Sequence, residues 1–132
     1  MPMNGRILLD TSVAIALLSG DAAVTERLLQ AREVYLPIIA LGELYLGALK
    51  SQRTNDNVAR IDELASGVGL RGCDMETARG YAAIKNRLRI QGKPIPENAV
   101  WIAAIAVQHN LKVLTRNRTD FADIPGLDIL TI

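Results

Sequence analysis

Three acids stand out of character with their neighbours. Asp10 stops the apolar run RILL abruptly. Glu43 lies in ALGELYLGALKS, where Ala40, Leu46 and Gly47, three and four residues away, leave space beside it. Asp120 comes five residues after LKVLT, inside NRTD. Taken singly, each has an ordinary explanation. Asp10 can cap a helix, Glu43 can favour a helix dipole, and Asp120 can sit in a turn. Gathered at one place, such carboxylates repel, and a divalent cation removes that penalty. Mg²⁺ takes oxygen ligands and keeps several waters. A centre of this kind can activate water and offset charge on phosphorus during phosphodiester hydrolysis.

Other chemistries find less support. One histidine, His109, and one cysteine, Cys73, stand far apart and cannot found a zinc site. His109 suits a helix C-terminus, and Cys73 is expected to be a buried, inert thiol. No GxGxxG, GxxxxGK[ST] or GxSxG occurs. A response-regulator phosphotransfer domain needs an acidic pair after its first strand, an Asp after its third and a Lys after its fifth. Here a single acid follows RILL, no Asp follows VYLPII, and Arg116 follows LKVLT. A haloacid-dehalogenase-type phosphatase needs a second Asp where this chain has Ser12.

The acids must be placed by secondary structure, and the pattern is legible. RILL, VYLPII, VGLRG, LKVLT and LDILTI read as strands, with Pro37 marking an edge or an end. Between them lie helical segments. TSVAIALLSG stops at Gly20, DAAVTERLLQAR is capped by Asp21, and ALGELYLGALKS and NDNVARIDELASG follow. DMETARGYAAIKNRLRIQG is capped by Asp74 and stopped by Gly92, and the next helix lies within IPENAVWIAAIAVQHN. Strands alternating with longer helices predict an α/β domain with a mostly parallel sheet. In open sheets of that kind ligands sit outside the carboxyl ends of the strands, where Asp10 and Asp120 both fall.

The 132 residues suit a single domain, with no linker or repeat. Hydrophobic residues reach 49% and aromatics 4%, so the core must be aliphatic. A net charge of +1 argues against a broadly basic nucleic-acid surface and leaves local contacts. Lys85 and Arg89 read as a solvated helix face, Trp101 as core or interface, and Arg116 as the best phosphate contact. The lone cysteine fits a reducing compartment, and neither a membrane span nor a signal-peptide pattern is evident. A soluble cytoplasmic protein is expected.

Three segments in order, LLDTSVAIALL, PIIALGELYLGALKS and GKPIPENAVWIAAIAVQHNLKVLTRNRTDFADIPGL, resemble the PIN-domain ribonucleases, and most closely the VapC toxins of toxin–antitoxin pairs. The resemblance covers nearly the whole chain. It implies a three-layer α/β/α PIN-like fold over residues 1–132 and RNA cleavage dependent on Mg²⁺ or Mn²⁺, often at one site in tRNA or rRNA. It also implies a homodimer and a VapB-type antitoxin whose C-terminal segment covers the active site. By motif it assigns Asp10, Glu43 and Asp120 to the metal, with Ser12 beside them and Thr115, Arg116 and Asn117 along the same edge. Asn117 falls where some relatives carry a further acid.

One departure stands out. Such proteins typically read P-x-N-D before an apolar run, and this chain reads PENAVWIAA, so the expected metal-ligand aspartate is Ala99. Three accounts stay open: a deliberate deletion that makes a toxic nuclease tolerable, a naturally weakened relative, or compensation by Glu97 or Asn98. Compensation is the least favoured, because one step along a helix turns a side chain by about 100°. A PIN-like module that binds antitoxin or RNA without cutting is the alternative function.

Overall fold

RILL forms strand β1, Arg6–Leu9, whose residues 7–9 are all buried, and the chain leaves it at Asp10. The computed structural model describes residues 5–132. Helices α1, Thr11–Leu18, and α2, Ala22–Leu29, come next, followed by strand β2, Glu33–Pro37. Helices α3, Ile38–Leu49, and α4, Thr54–Gly67, precede strand β3, Gly69–Arg71. The long helix α5 is Met75–Gln91 and α6 is Glu97–His109. Strand β4, Lys112–Thr115, a 3-10 turn at Arg118–Asp120, and strand β5, Ile129–Thr131, complete the order.

The five strands are all parallel, in the order β3-β2-β1-β4-β5. Alternate residues of β1 face opposite sides, as the two-residue period of a strand requires. Ile7 and Leu9 join Val13, Leu36, Leu41 and Ile61 in a core formed with α1 to α4. Leu8 joins Ile102, Ile105, Val113 and Phe121 in a second core beneath α6. This is the α/β/α arrangement expected from the sequence. The chain builds outward from β1 to β3, then returns to the other side of β1 for β4. The switch in direction therefore lies between β1 and β4, where open α/β sheets place their ligands.

Local signals explain most element ends. Asp21 caps α2 by accepting from Val24 N at 3.1 Å, and Asp74 caps α5 by accepting from Thr77 N at 3.0 Å. Gly92 closes α5 at φ 66°, a left-handed conformation that favours glycine. Two expectations need correction. VYLPII is a strand only as far as Pro37, and Ile38 and Ile39 already belong to α3. Pro37 lacks an N–H to continue a ladder, and it stands at the helix N-cap with an extended backbone (φ −72°, ψ 143°). Cys73 is exposed, on the connection between β3 and α5, rather than buried. Among the described residues no helix is long and apolar enough to cross a membrane.

The edge strand carries one close approach. Tyr35 of β2 pairs in register with Gly69 of β3, and its ring lies so near that a Cβ at position 69 would run into it. The Arg71 guanidinium covers the same ring at 4.1 Å from its centroid. Replacing a strand glycine by alanine ordinarily stabilises, but overpacking costs about 1–3 kcal/mol. Gly69→Ala should therefore lower the unfolding free energy measured in urea; a gain would mean that the Tyr35 ring turns aside freely.

Candidate active site

Asp10 emerges from β1 beside the end of β4, and its backbone N–H donates to Leu114 O at 3.1 Å. That places its carboxylate at the switch point with only 8% of the residue exposed. Every near hydrogen-bond donor is local or just across the strand boundary. Oδ1 accepts from Thr11 N at 2.9 Å, which makes Asp10 the N-cap of α1. Oδ2 accepts from the fully buried Thr115 hydroxyl at 2.7 Å and from Ser12 Oγ at 3.3 Å. The capping role foreseen for Asp10 is thus filled, and the same side chain stands at the strand end where a site was expected. Thr115 Oγ1 in turn accepts from Asn117 N at 2.9 Å, which fixes the start of the loop that leads to Asp120.

Glu43 joins this network through α1. Thr11 Oγ1 donates to Glu43 Oε1 at 2.9 Å, so one residue links the first acid through its N–H and the second through its hydroxyl. Thr11 is not among the residues that the motif assigns to the site. The usable signal was a hydroxyl directly after the acid in DTS. Asp120 lies in the 3-10 turn after β4, half-buried and anchored by the buried Phe121 that follows it. Its carboxylate has no hydrogen-bond partner among the described residues. The structure therefore links Asp10, Ser12, Thr115 and Glu43, and leaves Asp120 outside the bonded network.

Ala99 occupies the first turn of α6, 7% exposed, in the apolar cluster with Leu8, Ile102 and Phe121. Its neighbour Glu97 is engaged elsewhere. Tyr81 and Lys85 of α5 both donate to the Glu97 carboxylate, and Tyr81 stacks on Trp101 with centroids 4.0 Å apart. Lys85 and Tyr81 together hold the Glu97 carboxyl below its ordinary value. Lys85 is thus an ion-pair partner within the fold rather than part of a merely solvated face. Trp101 is half-buried in this stack.

The donors at the switch point are carboxylate and hydroxyl oxygens, which suit a hard cation such as Mg²⁺ in kind. In number they fall short. Among the described residues no three His, Cys, Asp or Glu side chains are grouped to hold a metal ion. The His109 carbonyl accepts from Arg6, at the start of β1 and so at the opposite end of the strand from Asp10. Arg116, expected to be free for phosphate, donates through one terminal nitrogen to Asp21 Oδ2 at 2.6 Å. The sequence marks Asp21 only as a cap. No local signal joins residues 95 positions apart.

Comparison with known proteins agrees with this fold. The PIN domain family model matches residues 7–127. Ribonuclease VapC1 of Rickettsia felis is 32% identical over 129 residues, 96% of this chain and 96% of its own. The tRNA(fMet)-specific endonuclease VapC of Shigella flexneri is 30% identical over 124 residues, 92% of this chain and 94% of its own. The DNA-bound VapBC structure from Salmonella typhimurium superposes with a TM-score of 0.90 at 28% identity, covering 96% of this chain and 97% of that one. The chain belongs to the PIN-domain family, within its VapC branch.

Two measurements test the bonded network and its surroundings. Thr115→Val keeps the shape but leaves Asp10 Oδ2 without its best donor and Asn117 N without an acceptor. Unsatisfied buried groups cost about 1–3 kcal/mol, so urea unfolding should shift by that order; an unchanged midpoint would remove Thr115 from the account. For Glu97 the folded state holds the lower pKa, so the unfolded chain binds more protons. The stability it contributes is complete above the ordinary value of 4.5 and lost as pH falls through the lower folded one. Glu97→Gln should flatten the acid limb of a pH–stability curve; an unaltered limb would show that the Lys85 and Tyr81 contacts are not held in solution.

Proposed function

We propose that this chain is the toxin of a toxin–antitoxin pair, built as a divalent-metal-dependent endoribonuclease and impaired by alanine at position 99. The observation that supports it most is the network joining Asp10, Thr115 and, through Thr11, Glu43 at the sheet's switch point. Asp10, Glu43 and Asp120 would hold Mg²⁺ or Mn²⁺, with position 99 as the vacant ligand. When bound, such a cation supplies a more acidic water and neutralises charge at phosphorus. The residues themselves supply placement. Thr115 and Ser12 donate to Asp10 Oδ2, and Thr11 fixes Glu43, so both carboxylates enter the reaction already oriented. Water adds to phosphorus, the bond to one sugar oxygen breaks, and that oxygen leaves with a proton. Ser12, Arg116 and Asn117 line the edge where the RNA backbone would run, whereas Thr115, expected there too, is fully buried and acts by holding Asp10. The name of the Shigella flexneri relative makes tRNA a reasonable substrate class.

The VapBC assembly of the structural neighbour supports a VapB-type antitoxin as partner. A cavity of about 280 Å³ between α1, α3 and α4 suits a segment of such a partner. Ile15, Leu18, Leu44 and Ile61 line it, with Glu43 and Arg60 as its charged members. An apolar segment lying there would reach Glu43 and cover the site. A homodimer in the cytoplasm completes the reading. The second reading, a PIN-like module that binds antitoxin or RNA without cutting, draws on two observations: a methyl group stands at position 99, and no three acids cluster among the described residues.

Cleavage of total cellular RNA by purified protein separates the two readings. The Ala99→Asp protein should cut with Mn²⁺, stop with chelator, and exceed the Ala99 protein by about a hundredfold, since small misplacements in a site carry losses of that order. Asp10→Asn in the Ala99→Asp background should abolish cutting. Failure of the Ala99→Asp protein on total RNA, antitoxin absent, would favour the non-cutting module. Equal, chelator-sensitive cutting by the Ala99 protein would show that position 99 is dispensable.

A further inference from the structure

Arg116 follows Thr115 directly, so its side chain departs from the same strand end that fixes Asp10. One of its terminal nitrogens donates to Asp21 Oδ2 at 2.6 Å, and the remaining guanidinium N–H groups have no partner among the described residues. Asp21 is a firm anchor. Its N–H donates to Ala16 O, its carbonyl accepts from Thr25 N and Thr25 Oγ1, and its Oδ1 accepts from Val24 N. An exposed ion pair of this kind, with the Arg116 and Asp21 side chains 41% and 30% exposed, adds little to stability. Orientation is the larger effect. A free arginine carries much rotamer entropy, and binding must otherwise remove it.

We propose that Asp21 is a positioning residue for RNA: it holds Arg116 by one nitrogen so that the other donors are preset for a backbone phosphate at the edge of the site. The proposal rests on the ribonuclease reading and adds a residue to it from outside the acidic set. It also makes a demand that simple electrostatics does not. Removing a negative charge beside a polyanion should tighten binding, whereas loss of a positioning residue should weaken it.

The test uses the full chain with alanine at position 99, with chelator present, and a fluorescein-labelled single-stranded RNA of mixed sequence followed by anisotropy across a salt series. Asp21→Asn retains the cap, since asparagine caps as well as aspartate, and removes the ion pair. It should weaken binding by about two- to tenfold, the range for one immobilised side chain. Arg116→Gln should weaken binding at least as much and reduce the salt slope by about 0.7, one phosphate's share. The double variant should bind no worse than Arg116→Gln alone. Thermal unfolding of Asp21→Asn beside the parent separates a folding defect from a binding one. Binding by Asp21→Asn that is unchanged or tighter overturns the proposal, as does a loss that persists in the Arg116→Gln background. No RNA binding by the parent, even at low salt, overturns the ribonuclease reading itself and the proposal with it.

Discussion

The hydrogen bond from Thr115 to Asp10 joins the two halves of the molecule where the chain reverses its direction of building. β1 begins the excursion to β2 and β3, and β4 begins the return to β5, yet these two strands end side by side. An aspartate buried to 8% exposure at that junction requires donors close at hand. Thr115, Ser12 and the N–H of Thr11 provide them, from the far side of the junction and from the first turn of the helix that follows. The same bonds that make the acid tolerable also hold it still. Placement of Glu43 depends in turn on Thr11, so the orientation of both carboxylates traces to one short segment, 10–12, set against the end of β4.

Much of this was legible in the sequence because the signals are local. RILL ends in an acid, and an acid after a buried strand is conspicuous. Asp21, Asp74 and Gly92 sit at helix ends for reasons that operate within a few residues. The limits of VYLPII were harder, since Ile38 and Ile39 favour a strand by type and only the geometry after Pro37 commits them to α3. Long-range partnerships left no mark. Nothing near Arg116 announces Asp21, and nothing near Glu97 announces Tyr81 and Lys85. Cys73 was misplaced because GCD has no apolar period from which to read a buried face. The motif singles out Asp10, Glu43 and Asp120, but it carries no information on their mutual contact, and Asp120 stands outside the bonded network.

Position 99 shows how the fold accommodates alanine where the family motif leads one to expect an aspartate. The first turn of α6 is held by its backbone, with Ala99 N–H donating to Pro96 O at 3.0 Å, and by the cluster around Ile102, Ala103 and Phe121. A methyl group is at ease there. A carboxylate at the same place would be a largely buried charge near an apolar wall, stable only with a cation or a donor to meet it. Glu97 already belongs to Lys85 and Tyr81 and stands outside that requirement. Within the ribonuclease reading, alanine at 99 removes an electrostatic burden from the empty protein together with a ligand from the loaded one. On that reading stability and metal binding would oppose each other at this residue, and a change that removed the ligand would also relax the fold that carries it.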